Sequence, residues 1–132
     1  MNAPAAQVQI TPYELLGGEE ALRRLVDRFY ELMDQDPAAA GLRRMHAADL
    51  SPMRAKLFDW LSEWMGGPAR YRERPDRACM MSAHMPYAIG ADERDQWMHC
   101  MRTALAELEL AAEVREFFAH NFQQVADRLR NR

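Results

Sequence analysis

Residues 19–35 read EEALRRLVDRFYELMDQ. Leu22, Leu25, Val26, Phe29, Tyr30 and Met33 recur there at steps of three and four, the spacing that gathers side chains on one face of a 3.6-residue helix. The stretch predicts an amphipathic helix, ended by Pro37, with a short helical turn following around 38–45. Upstream, Thr11-Pro12 supplies an N-cap and a proline at the first helical position, opening a short helix that Gly17-Gly18 stops. Downstream, Ser51-Pro52 repeats the signal. Met53, Leu57, Trp60, Leu61, Trp64 and Met65 form a second apolar face, closed by Gly66-Gly67-Pro68. Residues 68–77, polar and rich in Arg and Pro, predict a loop leading to a short helix near 77–85 that Pro86 breaks. Two further faces follow: Trp97, Met101, Ala104, Leu105 and Leu108 on a helix over 91–108, and Val114, Phe117, Phe118, Phe122, Val125 and Leu129 on one over 111–130. No run alternates with period two, so the expected fold class is all-α.

A chain of 132 residues suits one domain, expected over 11–132 after a flexible leader at 1–10 that contains Pro4. The hydrophobic fraction of 48% argues against wholesale disorder. Ten Met and three Trp offer adaptable filler and broad apolar walls, suited either to a Met-rich core or to a pocket for a large flat ligand. Net charge is −3 and no basic stripe stands out, which excludes nucleic acid as an expected partner. No apolar run approaches the roughly 20 residues of a membrane span. Cys79 and Cys100 lack CxxC spacing, and the first residues carry no apolar signal segment, so free thiols in the cytoplasm are expected.

Among the four histidines, His84 stands in MMSAHMPY, residues 80–87, an apolar stretch before a helix-breaking proline. A neutral imidazole there is placed either to ligate a metal in a pocket or to cap a short helix. His46 ends a short turn and reads as a pocket residue, an exposed one or a cap. His99 and His120 read as surface positions. Cys79, His84, His99 and Cys100 could be imagined as a zinc set, but they lack the close ligand pairs of zinc signatures. Tyr30 and Trp97 carry hydrogen-bond donors within apolar faces. Such donors serve a strongly polar ligand in a dry pocket, or they find backbone carbonyls. The chain has no GxSxG, Walker or GxGxxG sequence, so nucleophilic hydrolysis and nucleotide binding have no motif to stand on.

Several blocks together resemble one family. Tyr13-Glu14-Leu15-Leu16-Gly17-Gly18 with Asp27-Arg28-Phe29-Tyr30 is similar to the opening of truncated haemoglobins. Trp64-Met65-Gly66-Gly67-Pro68 with Tyr71, then His84-Met85-Pro86-Tyr87-Ala88-Ile89, continues the likeness, and Glu93-Arg94-Asp95-Gln96-Trp97-Met98-His99-Cys100-Met101 points to the second group of that family. The resemblance implies a shortened globin, a two-on-two helical sandwich around haem b. It makes His84 the proximal iron ligand and Tyr30 and Trp97 the distal hydrogen-bonding residues, with His46 facing the bound ligand. Met53, Leu57 and Trp60 match distal positions lining the haem, while Met80, Tyr87 and Ile89 match the proximal side. Where the family usually carries Arg before the proximal histidine, this chain has Ala83. Contacts to the haem propionates are therefore expected from elsewhere, with Arg77, Tyr71 and Lys56 as candidates. The implied function is binding of dioxygen, nitric oxide or another diatomic. The alternatives are a haem redox enzyme (nitric oxide dioxygenation or peroxide reduction, fed by a reductase) and a haem-free helical interaction module. A monomer or a homodimer is compatible with the sequence.

Overall fold

The chain enters its first helix as Thr11-Pro12 predicts. The Thr11 hydroxyl accepts the Glu14 N–H at 3.2 Å, satisfying one of the amides a helix start leaves without a partner. In this computed structural model, which describes residues 9–132, helix α1 runs Pro12–Leu16. Residues 1–8 of the expected leader lie outside the described residues. Gly17 turns the chain at φ 122°, a left-handed conformation glycine adopts without steric cost, and α2 follows directly over Gly18–Gln35. It buries every residue of the predicted face and Leu32 as well.

Asp36 ends α2 and accepts the Ala38 N–H at 3.0 Å, capping a single 3-10 turn, Pro37–Ala39, that runs into α3, Ala40–Arg44. Helix α4 spans Ser51–Trp64, α5 Met80–His84, α6 Ala91–Ala106 and α7 Ala112–Leu129. No strand occurs among the described residues, and no helix is long and apolar enough to cross a membrane. Helix α2 is the keystone. It packs against α4 on one side and α6 on the other, and α6 packs in turn against α7, giving two helix pairs joined through α2 and α6.

Two details differ from the pattern read along the chain. Helix α4 has two apolar faces, not one. Phe58, Leu61 and the following Met65 are buried in the core, whereas Met53, Leu57 and Trp60 are only half-buried and Trp64 is 37% exposed. A helix turns about 100° per residue, so Leu57 and Phe58 cannot share a face. The short fifth helix also begins later than expected, at Met80 and not near 77. The Tyr71 hydroxyl both accepts the Ala78 N–H (3.1 Å) and donates to the Ala78 carbonyl (2.8 Å), holding that segment as loop.

Candidate functional site

The second face of α4 marks the site. Met53, Leu57, Trp60 and Trp64 follow one another at steps of four, three and four, and Trp60 and Trp64 stack with ring centroids 5.4 Å apart. Burying such a side chain fully stabilises a fold by about 1.5–3 kcal/mol. A row of four left partly open is an apolar wall awaiting a partner. Helix α5 has the complementary defect. None of its residues is buried, no other element packs broadly against it, and Met81, Met85 and Tyr87 are 50%, 67% and 49% exposed. Met80, His84 and Ile89 are half-buried.

His84 has its partners close by. Its Nδ1 lies 2.6 Å from the Met80 carbonyl, and its own carbonyl accepts the Tyr87 N–H at 3.1 Å. A carbonyl only accepts, so Nδ1 carries the proton and the Nε2 lone pair of a neutral ring stays free. A histidine whose second nitrogen is fixed by a backbone carbonyl has the arrangement usual for metal ligands. The capping alternative for His84 is thus satisfied by the same bond that leaves a ligating nitrogen. The zinc alternative has no site: among the described residues no three His, Cys, Asp or Glu side chains group to hold a metal ion. Cys100 is buried, and His99 Nε2 is engaged 2.7 Å from Asp36.

Across from α4, Tyr30, His46 and Trp97 form one aromatic neighbourhood. The Tyr30 and His46 centroids are 6.5 Å apart. Phe29 sits edge-on to both Tyr30 (5.0 Å) and Trp97 (5.2 Å), and Trp97 also meets Phe122 at 6.0 Å. The buried Tyr30 hydroxyl donates to the Met53 carbonyl at 3.4 Å, and burial pushes its phenol well above the ordinary value, so it stays a neutral donor. The Trp97 indole N–H has no acceptor among the hydrogen bonds of the described residues. His46 Nδ1 lies 2.9 Å from the Leu42 carbonyl. The single proton of a neutral His46 is therefore used within its own turn, and Nε2 is an acceptor. His46, which the resemblance sets facing the bound ligand, thus offers an acceptor and not a donor at its outer nitrogen.

The 68–79 loop is tied down and not loose. Arg74 bonds Asp59 on α4 at 2.7 Å and Asp76 at 2.9 Å, and Arg72 bonds Glu63 on α4 at 2.7 Å. Of the three residues considered for anionic groups, Tyr71 is committed to Ala78, and Arg77 donates to the Arg74 carbonyl at 3.2 Å. Lys56 pairs with Asp76 at 3.5 Å. The linker from α5 to α6 is held by a residue the sequence did not single out. Asn131 donates from its side chain to the Tyr87 carbonyl at 2.8 Å, and the Ile89 N–H donates to Asn131 Oδ1 at 2.9 Å. Gln96, also not singled out, bonds the Leu42 N–H from α6 at 2.8 Å. Gln96 stands within the block at 93–101 without a role given to it there, Asn131 lies in no quoted block, and both act over more than 40 residues of sequence.

Comparison with known proteins gives consistent matches. A family model described as bacterial-like globin matches residues 11–131. The chain is 32% identical over 120 residues to a group 2 truncated haemoglobin of Bacillus subtilis, covering 91% of this chain and 88% of that one. Its structure is similar to a cold-adapted truncated haemoglobin from the Antarctic marine bacterium Pseudoalteromonas haloplanktis, with a TM-score of 0.88 at 36% identity, covering 93% and 99% of the two chains. It is equally similar to a group II 2-on-2 haemoglobin from the plant pathogen Agrobacterium tumefaciens, with a TM-score of 0.88 at 38% identity, covering 96% and 98%.

Proposed function

Since the chain belongs to the bacterial-like globins, and among them to the group 2 truncated haemoglobins, its cofactor is a haem and its ligands are diatomic gases; we propose that it holds haem b through His84 and retains dioxygen by hydrogen bonds from Tyr30 and Trp97. The observation that carries this reading is the His84 ring, whose Nδ1–H is spent on Met80 at 2.6 Å and whose Nε2 lone pair is free. The surroundings fit the group. A porphyrin needs apolar walls, and the half-open face of α4 and the uncovered residues of α5 are apolar surface of that kind. When bound, the haem would supply an iron able to coordinate the gas.

The chain's own residues do the rest. His84 would hold the iron through Nε2, and its bond to Met80 sets the tautomer and restrains the ring. Met53, Leu57 and Trp60 would cover the distal side of a bound haem and keep water from it, while Met80, Tyr87 and Ile89 would cover the proximal side. Tyr30 stays protonated and can leave its long 3.4 Å bond to Met53 at little cost to turn toward a polarised gas. Trp97 adds a second donor that has no competing acceptor among the described residues. A neutral His46 adds an acceptor. Lys56 is the propionate candidate best able to move, because a half-exposed ion pair with Asp76 at 3.5 Å contributes only about 0–1 kcal/mol and exchanges readily for another carboxylate.

Haemin titration of the purified chain tests the reading. A stoichiometric Soret band that is lost in His84→Ala and returns with added imidazole is the expected result. A band of equal intensity and position in His84→Ala would overturn the assignment of His84.

A further inference from the structure

Gln96 is half-buried on α6, one residue before Trp97, and its Oε1 accepts the Leu42 N–H at 2.8 Å. That amide is among the first four of α3, which have no partner within the helix itself. Helix α3 is only five residues long and its N-cap, Ala39, offers no side-chain bond, so it depends on outside help. The Leu42 carbonyl in turn accepts two bonds, from the Met45 N–H at 3.1 Å and from His46 Nδ1 at 2.9 Å. A single residue thus links the α6 carboxamide to the imidazole beside Tyr30. Gly41 makes the approach possible, since a Cβ there would come within 3.2 Å of both carboxamide heteroatoms. On the other side of the turn, Arg43 bonds the Ala47 and Ala48 carbonyls at 2.9 Å each and Asp34 at 2.9 Å. The turn is therefore pinned from α2, while the Gln96 bond is the only side-chain hydrogen bond between α6 and α3 among the described residues.

We propose that Gln96 is a positioning residue for the gas site: by fixing the Leu42 peptide it fixes the tautomer and orientation of the His46 ring. The proposal rests on the reading above, in which His46 faces the bound gas. The physical reason is the chain of carbonyl-directed bonds. If the Leu42 amide loses its acceptor, the first turn of α3 frays. The carbonyl that holds Nδ1–H then shifts, and the imidazole is free to rotate or to change tautomer. Gln96 and Trp97 are neighbours on α6, so one helix sets both a donor and the support of an acceptor at the same site.

The test uses the holoprotein in its diamagnetic ferrous carbon monoxide form. Ring nitrogen shifts of His46 are read by NMR, and the carbon monoxide and oxygen dissociation rates by flow mixing, for Gln96→Leu, Gln96→Glu, His46→Phe and the Gln96→Leu/His46→Phe double variant. Gln96→Leu is expected to remove the single Nδ1–H tautomer and to change at least one dissociation rate threefold or more. Gln96→Glu keeps the acceptor and should restore both readouts. In the His46→Phe background the Gln96→Leu change should shrink to less than a third of its size on a logarithmic scale. A rate effect of undiminished size in that background, or unchanged His46 signals in Gln96→Leu, overturns the proposal. If His46→Phe alone leaves both rates unchanged, it is the placement of His46 beside the gas that fails, while the ring signals still decide whether Gln96 sets the tautomer.

Discussion

The Tyr30 hydroxyl donates to the Met53 carbonyl across 3.4 Å, well beyond the 2.5–3.0 Å usual for such bonds. A donor so loosely held can leave its carbonyl for a better acceptor at little cost. Tyr30→Phe is therefore expected to leave thermal stability nearly unchanged and to speed oxygen dissociation by roughly ten- to a hundredfold, the worth of one strong hydrogen bond of about 1.5–3 kcal/mol. Stopped-flow displacement by carbon monoxide measures the rate. An oxygen dissociation rate equal to that of the native chain would show that Tyr30 does not donate to the gas.

Much of this arrangement is legible in the chain, for physical reasons. The face of α2 is visible because six large apolar residues repeat with the helical period, and nothing but a core accounts for them. His84 and Tyr30 stand in short local blocks. Helix α4 is harder, because Leu57 and Phe58 are equally apolar and the sequence does not say which is buried in the core and which is left half-open. Gln96 and Asn131 are invisible for another reason. A polar side chain bonding a backbone amide needs no particular partner residue, so Leu42 and Ile89 carry no mark of being held from 54 and 42 positions away. The tautomer of the His46 ring is set by a carbonyl four residues back, which comes within reach only because α3 is helical.

The two cysteines should react very differently. Cys79 is exposed, and the Ser82 and Met81 amides hold its thiol below the ordinary value, whereas burial pushes Cys100 up to about 11. With a chromogenic disulfide near pH 8, one thiol is expected to react within minutes in the folded protein, and Cys79→Ser should abolish that phase. The second should appear only with denaturant. Two equivalents titrating together in the native protein would contradict the burial of Cys100.

Acid should loosen the corner between α2 and α6. The His99 ring at 2.7 Å, and then the Ala38 N–H, hold the Asp36 carboxyl below its usual range. A carboxyl depressed by folding stabilises the protein at every pH above its unfolded value, near 3.8, and the contribution is lost as pH falls through the lower folded value. Asp36→Asn retains an acceptor for Ala38 but loses the charge. Its melting temperature should lie below that of the native chain at pH 7, with the gap closing as pH falls from about 5 through the unfolded value and on through the lower folded one. A gap of constant size across that range would show that the ionised form of Asp36 is not what stabilises this corner.

Gly67 permits the closest approach of a side chain to any glycine of the chain. A Cβ at this position would lie 2.5 Å from the Tyr13 ring, whose backbone N–H donates to the Met65 carbonyl at 2.9 Å. The ring cannot retreat far while that bond ties α1 to the end of α4. Gly67→Ala is thus expected to cost about 1–3 kcal/mol through overpacking, seen as a fall in the denaturant midpoint with an unchanged slope. Gly18 provides the contrast. At φ 76° with nothing within 4 Å of its would-be Cβ, an alanine there costs backbone strain alone. Shaving the obstacle separates the two causes. Tyr13→Leu should recover much of the loss in Gly67→Ala and none of it in Gly18→Ala, and equal recovery in both would mean that the ring is not what Gly67 accommodates.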